Sequence, residues 1–394
     1  MDIFAESLEF HRKLKGKLSI ESRSHIKDRH DLSLLYTPGV AESCKAIHRS
    51  PEEARALTIK SNTVAVVTDG SAVLGLGNIG PLAALPVMEG KCVLFKEYAG
   101  LNAFPICLDT QNTIEIINTV RNLAPVFAGI NLEDISAPRC FEIEAGLQDI
   151  GIPVFHDDQH GTAIVLLAGL INAARLAGKE LTDLRVVING SGAAGTAIAE
   201  LLLCVGHDPN LCKPVKEVLM CDTKGIISRN RTDIESNPAK MKLSRITNRN
   251  NRDGSLADAI EDADVFIGVS VEGALTQEMV RKMNDPIIFA LANPVPEILP
   301  DLAYEAGAFV VGTGRSDFAN QINNVLAFPG VFKGAIEVHA PRITGSMKIA
   351  AATALAEPVK DTDKYQINPS VPDKAAGGGV CRSAAPANRK APAA

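Results

Sequence analysis

Two pairs of adjacent acidic residues follow apolar runs of the sequence. Glu133 and Asp134 follow FAGINL, and Asp157 and Asp158 follow PVFH. If these runs are parallel strands, the pairs lie at the carboxyl edge of a sheet, where open α/β sheets place their ligands. Several carboxylates at that edge would repel one another unless a cation neutralised them, and hard oxygen ligands suit Mg²⁺ or Mn²⁺. The pattern therefore indicates a divalent-cation site, with helix-capping acids as the alternative.

Other polar residues could act in chemistry, but each also has an ordinary structural explanation. His156 and His160 have the i, i+4 spacing of a zinc pair, which requires a helix, whereas the run PVF before them indicates a strand. We expect both histidines to be packed or to support the acidic residues. Lysine on a helix and tyrosine or asparagine in a turn are commonly structural. The residues of this kind are Tyr36, Lys91, Asn293, Asn323 and Asn324.

Two segments, 75–80 and 190–195, fit the G-x-G-x-x-G pattern of dinucleotide-binding loops. Such a loop needs a strand that ends in a tight turn, followed by a helix whose N-terminus stabilises a pyrophosphate. The second segment meets this requirement, because LRVVIN runs directly into it and the apolar AAGTAIAELLL follows. We predict a structural or substrate-side turn at 75–80. The predicted cofactor loop comprises Gly190, Gly192, Ala193, Ala194 and Gly195.

Asp222 ends the next apolar run, EVLMCD, at a position where a carboxylate can accept the adenine ribose hydroxyls of NAD. It could equally be a turn or helix-capping residue. Lys224, or an arginine of the stretch 229–252, could instead hold the 2′-phosphate of NADP. We expect this Arg/Asn-rich stretch to be a solvated excursion between strands. The sequence leaves the choice between NAD and NADP open.

Short β-branched runs alternate with helical segments, which predicts an α/β protein with mostly parallel sheets. We predict an N-terminal parallel-sheet domain over 1–160, then a Rossmann-like doubly wound dinucleotide-binding domain over 161–355 that begins with a helix at 161–178. The Gly/Pro/Ala-rich extension over 356–394 has no apolar period and is expected to be flexible. The predicted strands are 64–70, 103–109, 127–134 and 153–158 in the first sheet and 184–190, 217–222, 263–270, 286–293 and 308–314 in the second.

The composition excludes several classes of function. The chain has 394 residues, 46% of them hydrophobic, and a net charge of -6, which is typical of a soluble protein and unfavourable for binding nucleic acid. Neither an apolar leader nor a membrane-spanning run is visible, so we expect a cytoplasmic protein without membrane contact. The 8 cysteines include no CxxC pair and are expected to be reduced, packed thiols.

Several motifs in a fixed order resemble the malic enzymes, in particular the short microbial members. The resemblance covers about residues 20–355 and is far more specific than any single spacing. The segments that carry it are YTPGVAESCKAI (36–47), VAVVTDGSAVLGLGNIG (64–80), LPVMEGKCVLFK (85–96), INLEDISAPRCFEIE (130–144), VFHDDQHGTA (154–163), the loop 190–195, FALANPVPE (289–297) and NNVLAFPG (323–330).

The resemblance implies oxidative decarboxylation of (S)-malate to pyruvate and CO₂ with NAD or NADP and Mg²⁺ or Mn²⁺. Lys91 matches the family's general base, with a pKa expected to be lowered by burial or by positive neighbours, and Tyr36 matches its general acid. Homodimers or homotetramers are also implied. By the same matching, Glu133, Asp134 and Asp158 are the metal ligands with Asp157 beside them, and Asn293, Asn323 and Asn324 fall in malate-contacting motifs.

Two departures from the family pattern affect these expectations. Larger members carry an arginine that binds a substrate carboxylate near the position of Ala72, and its absence here leaves that contact to another residue or subunit. After about residue 360, the sequence lacks the amphipathic period of the family's final helix. Two other functions stay open: a malolactic-type conversion of a 2-hydroxy acid, and a catalytically silent dinucleotide-binding protein.

Overall fold

A computed structural model of the chain describes residues 3–359, 363–371 and 374–387, and within the last of these segments it describes side chains for 378–384. The N-terminal region is helical and lies on the surface, because α1 to α4 contain no buried residue. These helices are α1 (Ile3–Leu14), α2 (Arg29–Leu35), α3 (Val40–Arg49) and α4 (Ala54–Leu57).

The first sheet is parallel and has the order β2-β1-β3-β4. Its central strand β1 is buried at every position, as expected of a β-branched run covered by helices on both faces. The strands are β1 (Thr63–Thr68), β2 (Asn102–Cys107), β3 (Gly129–Leu132) and β4 (Val154–His156), and the helices between them are α5 (Pro81–Ala99), α6 (Thr113–Leu123) and α7 (Arg139–Ala145).

A long buried helix, α8 (Asp157–Leu176), leads from the first sheet to the second. The second sheet has the order β10-β9-β8-β5-β6-β7, in which only β7 is antiparallel to its neighbour within the described residues. This is the strand order of a doubly wound dinucleotide-binding fold. The strands are β5 (Arg185–Asn189), β6 (Glu217–Asp222), β7 (Gly225–Ile226), β8 (Val265–Gly268), β9 (Ile287–Ala290) and β10 (Val310–Thr313).

The remaining helices cover this sheet and then return to the first one. They are α9 (Ala193–Leu202), α10 (Pro238–Ile246), α11 (Leu256–Ile260), α12 (Gln277–Val280), α13 (Pro300–Glu305), α14 (Phe328–Glu337), α15 (Gly345–Ala356) and α16 (Lys374–Ala387). Single 3₁₀ turns occur at Pro51–Glu53, Ile59–Ser61, Leu74–Leu76, Leu181–Asp183, Thr232–Ile234 and Asn324–Leu326.

One aromatic cluster joins the two halves of the chain. Phe95 of α5 makes edge contacts with Phe328 and Phe332 of α14, with ring centroids 4.8 Å and 5.3 Å apart, and Phe155 of β4 contacts Phe332 at 5.8 Å. All four rings are fully buried. Helix α14, which follows the second sheet, is therefore packed against the first domain, and this packing brings residues near 324 to the end of β4.

The expectation of a flexible tail is wrong for residues 374–387, which form α16. Val380 and Ala384, one helical turn apart, are fully buried against α14 and α15. Small residues let helices approach closely, so a sequence poor in large apolar residues still buries a helix face. Earlier in the tail, Asn172 of α8 donates to the carbonyl of Ile367 and Tyr98 of α5 to that of Val371.

The expectation that every cysteine is a free thiol is also wrong. Cys204 and Cys212 form a disulfide that closes the loop after α9. The two residues belong to a turn-rich stretch between α9 and β6, where the chain folds back on itself, and sequence spacing alone does not show that approach. Cys92, Cys140 and Cys221 are free and buried, as expected.

Two smaller expectations also need correction. Helix α8 begins at Asp157 and not at 161, so the second acidic pair is its first turn. The stretch 229–252 is not a purely solvated excursion, because it contains α10 and buries Ile234 and Leu243. Among the described helices, none is both long enough and apolar enough to cross a membrane.

Candidate active site

The two acidic pairs meet because of the sheet register. Strand β3 pairs with β4 so that Leu132 lies opposite His156, and each acidic pair begins one residue later. Asp134 turns the chain away from the strand with a φ of 53°, a left-handed conformation that aspartate tolerates better than most residues. As a result, one carboxylate oxygen from each of Glu133, Asp134 and Asp158 lies within 4.8 Å of the other two.

The electrostatics of this acidic cluster (Glu133, Asp134 and Asp158) fit a divalent cation. Burial, together with repulsion by Asp158 and Glu133, raises the pKa of Asp134 to about 9. Burial also raises the pKa of Glu133 and Asp158. The Oδ2 atom of Asp134 is buried and has no hydrogen-bond partner among the described residues. Three oxygens that repel each other, one of them without a partner, form a donor set suited to Mg²⁺ or Mn²⁺.

Lys91 lies beside this cluster, on the buried face of α5. Its Nζ atom is 2.7 Å from Asp157 Oδ2 and 2.9 Å from Glu133 Oε1, and it stands 4.5 Å above the ring of Phe328. Burial alone lowers the pKa of Lys91, but the attraction of Asp157 and Glu133 outweighs burial, and the net pKa is raised. The neighbours of Lys91 in this arrangement are negative, and they act on its pKa in the direction opposite to burial.

Asn324 completes the surroundings of Asp157. Its Nδ2 atom donates to Asp157 Oδ2 at 2.5 Å. Gly161, one turn further along α8, leaves the space in which Asp157 and Asn324 meet, since a Cβ at that position would lie 1.9 Å from Asp157 Oδ1. Asn323 instead caps the 3₁₀ turn at Asn324–Leu326 by accepting from the amide of Val325, so its side chain has a structural role here.

The loop with the first glycine motif connects the acidic cluster with Asn293. The amide of Leu74 donates to the carboxylate of Asp134, and that of Ala72 to the carbonyl of Asp134. Gly75 packs on the backbone of Asn293, because a Cβ there would lie 2.5 Å from the carbonyl oxygen of Asn293. The turn at 75–80 therefore has a structural role, and it links Asn293 to the loop that contacts Asp134.

Tyr36 is the one predicted catalytic residue that the structure leaves on the surface of a single chain. It ends α2, and 67% of its surface is exposed. Its assignment as the general acid stays a prediction.

The second glycine motif has the geometry of a pyrophosphate cradle. Gly190 follows β5 with a φ of 119°, and Gly195 packs so closely on it that a Cβ would lie 1.9 Å from the carbonyl oxygen of Gly190. Gly192 is the N-cap of α9, has no side-chain cap and faces open space. Ala193 and Ala194 form the first turn of α9. The backbone amides and the dipole of this N-terminus are suited to an anionic cofactor.

Asp222 ends β6 next to this loop, but its carboxylate is already fully engaged. Oδ1 accepts from Arg231 Nη1 at 2.7 Å and from the amide of Lys224 at 2.9 Å. Oδ2 accepts from Arg231 Nη2 at 3.0 Å and from Lys240 Nζ at 2.6 Å. A carboxylate has about four acceptor positions, so ribose hydroxyls could bind Asp222 only by displacing one of these donors.

Sequence reasoning missed several residues that support the site. Asp69 is buried at the end of β1, where it accepts from Arg139 Nη1 at 2.7 Å. Asn131 donates to Glu133 at 2.8 Å and so orients that carboxylate. The position of Asp69 at a strand end was a signal of the same kind as the acidic pairs, but the contact of Asn131 has no sequence signature. His156, which was expected to be packed or to support the acidic residues, is fully buried with Nε2 3.6 Å from Asp158 Oδ2.

Comparison with known proteins identifies the family of the chain and agrees with its fold. The model of the malic enzyme N-terminal domain matches residues 15–116, and that of the malic enzyme NAD binding domain matches 159–375. The chain is 56% identical over 365 residues to the bifunctional malic/malolactic enzyme of Bacillus subtilis, covering 92% of this chain and 87% of that protein. The chain belongs to the malic enzyme family. The resemblance predicted from the sequence motifs is thus confirmed.

Other malic enzymes are similar in sequence and structure. The NAD-dependent malic enzyme of Geobacillus stearothermophilus is 55% identical over 360 residues, covering 90% of this chain and 73% of that protein. The crystal structure of the NAD-dependent malic enzyme of Thermotoga maritima superposes with a TM-score of 0.91 at 49% identity, covering 96% of this chain and 98% of that one. The predicted α/β fold with a Rossmann-like second domain is confirmed.

A substitution in the acidic cluster tests whether it is built for a cation. Asp134→Asn is expected to raise the free energy of unfolding of the cation-free malic enzyme by about 1–2 kcal/mol, because it removes a buried acid from a repelling cluster. The variant is also expected to lose the stabilisation that Mn²⁺ gives the wild type. Denaturant unfolding with chelator and with Mn²⁺ measures both effects.

The matched control is Asp109→Asn, which changes an exposed carboxylate shortly after β2. It is expected to behave like the wild type in both conditions. If Asp134→Asn also did so, the interpretation of the cluster as a cation site would be wrong.

Proposed function

We propose that this chain catalyses the oxidative decarboxylation of (S)-malate to pyruvate and CO₂ with reduction of NAD⁺ or NADP⁺ and with a divalent cation. The observation that carries the proposal is the placement of a buried lysine between Asp157 and Glu133, directly beside three converging carboxylates. The names of the similar proteins from B. subtilis and G. stearothermophilus, malic enzymes both, support the same reaction.

When bound, the nicotinamide cofactor would supply a hydride acceptor, and a divalent cation, which Glu133, Asp134 and Asp158 would hold, would supply Lewis acidity. The chain's own residues handle the protons. Lys91 Nζ is the candidate base for the C2 hydroxyl. To act as a base, the Lys91 ammonium group must first lose a proton, and its hydrogen bond to Asp157 Oδ2 provides a path for this proton. Asp157 is in turn oriented by Asn324.

Substrate contacts are proposed for Asn293 and Asn324, which border the cluster from the second domain, with Asn323 in the same motif. Asn324 already donates to Asp157, so a substrate oxygen near Lys91 would lie within reach of its amide. Closing the two domains over the substrate would exclude water from the buried carboxylates and strengthen every charge interaction in the site.

We further propose that the chain works as a homodimer or homotetramer, and that Tyr36 acts as the acid that protonates the enolpyruvate carbon. The N-terminal region supports an assembly because its helices and the segment between α1 and α2 expose many large apolar side chains. Exposed apolar side chains are common at protein interfaces. They include Leu8, Phe10, Leu14, Ile20, Ile26, Leu34 and Leu35.

A malolactic-type conversion is the second candidate, since the B. subtilis relative is named a bifunctional malic/malolactic enzyme. A silent dinucleotide-binding protein is disfavoured, because such a protein has no use for a buried lysine among four carboxylates.

The test is a spectrophotometric assay of the purified protein with (S)-malate and Mn²⁺, run with NAD⁺ and with NADP⁺ and with or without chelator. We expect chelator-sensitive formation of reduced cofactor, with pyruvate formed in equal amount. Lactate without net reduction of the cofactor would favour the malolactic alternative. No reaction with either cofactor would contradict the proposed enzyme.

Lys91→Ala is expected to lower kcat on malate by a factor of about 10² or more, because general acid–base groups contribute on the order of 10²–10⁴ in rate. The Kd for the reduced cofactor, measured by fluorescence titration, should stay within about twofold of wild type. The matched control is Lys96→Ala on the same helix, whose side chain is exposed and bonds Asn102. A fully active Lys91→Ala variant would contradict the assignment of Lys91 as the general base.

We also propose that the enzyme prefers NADP⁺ to NAD⁺. The four donors on Asp222 leave no acceptor for ribose hydroxyls, whereas Lys240 uses one of its three donors on Asp222 and is part-exposed. Lys224, which is exposed, donates its backbone amide to Asp222, and its ammonium group pairs with Asp233 at 3.1 Å. A 2′-phosphate at this position would be attracted by lysine side chains, and no free carboxylate would repel it.

Lys240→Gln is accordingly expected to raise the Kd for NADP⁺ about tenfold or more and to leave that for NAD⁺ nearly unchanged, since a hydrogen bond to a charged group contributes about 1.5–3 kcal/mol. Calorimetric titration of both cofactors measures this. The control is Lys242→Gln on the same helix, whose lysine pairs with Glu200. Equal affinity of the wild type for both cofactors would contradict the proposed preference.

A further inference from the structure

Glu144, at the end of α7, makes three contacts with the beginning of α8. Its Oε1 atom accepts from the backbone amide of His156 at 3.1 Å. Its Oε2 atom accepts from Gln159 Nε2 at 3.3 Å and lies 3.0 Å from His160 Nε2. The carboxylate is part-buried between the two helices, and none of these contacts involves the acidic cluster directly.

The beginning of α8 has no cap of its own. His156 is the N-cap residue and makes no side-chain capping bond. A helix start without a capping acceptor leaves amide groups unsatisfied, and these groups attract an acceptor from elsewhere in the fold. Glu144 fills this role from a different helix, because its carboxylate accepts from the amide of the N-cap residue itself.

The first turn that Glu144 holds carries both Asp157 and Asp158. Successive helix residues point in directions about 100° apart, so the two carboxylates face different partners. Asp157 faces Lys91 and Asn324, while Asp158 joins the acidic cluster and accepts from the amide of Asp134 at 2.8 Å. A rotation or tilt of this turn would therefore move both carboxylates out of place together.

The pairing of β3 with β4 does not determine that rotation. Its register ends at Leu132 and His156, so it positions the backbone where the helix begins but not the direction in which the helix turns. Glu144 contacts residues before, within and at the end of the first turn, and three contacts around one turn restrain its rotation.

We infer that Glu144 is a positioning residue for the cation site, which orients the first turn of α8 so that Asp158 meets Glu133 and Asp134. The inference rests on the proposed function, because it concerns the cation that the acidic cluster is proposed to hold. Glu144 does not ligate the cation, and it acts through the helix that carries a ligand.

The test is the Kd of Mn²⁺, measured by calorimetric titration of the metal-free protein. Glu144→Ala is expected to raise this Kd by about 10- to 100-fold, which is the typical cost of losing a residue that orients a metal ligand. Glu144→Asp keeps the charge but withdraws the carboxylate by one methylene, and it is expected to raise the Kd about fivefold or more. The matched control is Glu142→Ala, an exposed residue of the same helix. Circular dichroism verifies folding.

The two Glu144 variants separate a positioning role from a role of its charge alone and from a purely structural role. A Glu144→Asp variant with wild-type affinity would show that only the negative charge of Glu144 matters, and it would overturn the inference. Variants that melt at lower temperature but bind Mn²⁺ like the wild type would overturn it as well, because Glu144 would then be only structural. If Glu144→Ala does not fold, Glu144→Asp decides the question alone. A wild type that does not bind Mn²⁺ would instead overturn the proposed cation site, on which the inference rests.

Discussion

Repulsion among buried carboxylates is the constraint on which the rest of this structure depends. Glu133, Asp134, Asp157 and Asp158 lie close together at the carboxyl edge of the first sheet, and Lys91 is the one ammonium group in contact with them among the described residues. Burying like charges together is unfavourable unless partners or a cation compensate. The fold supplies partial compensation from Lys91, from Asn131, from the amide of Asp134 and from the N-terminus of α8.

The compensation is incomplete, and this has a chemical consequence. The orphaned oxygen and the raised pKa of Asp134 show that the cluster lacks positive charge. A bound cation would supply the missing positive charge, and the attraction between it and the carboxylates would favour binding. An apolar core offers no such attraction. The same negative charges raise the pKa of Lys91, so the candidate base and the proposed cation site are electrostatically linked through Glu133.

The apolar core determines which polar groups can reach this cluster. Contacts of Phe95 with Phe328 and Phe332 hold α14 against α5, and this places Asn324 on Asp157 although the two are far apart in sequence. The close approach of Gly75 to Asn293 adds a second contact between the loops of the two domains. The catalytic candidates of both halves therefore depend on one packed interface. Helix α16 packs small buried residues against the same core.

The amino-acid sequence by itself determined the alternation of strands and helices, the position of both acidic pairs at strand ends, the dinucleotide loop after β5 and, through several motifs, the family. These features are local: they follow from β-branched runs, glycine spacing and residue order. Only the tertiary structure decided the acidic neighbours of Lys91, the occupation of Asp222 by Arg231 and Lys240, the pairing of Cys204 with Cys212 and the burial of Val380 in α16. Each of these depends on which groups from distant segments become neighbours in a medium of low dielectric, and residue spacing along the chain does not contain that information.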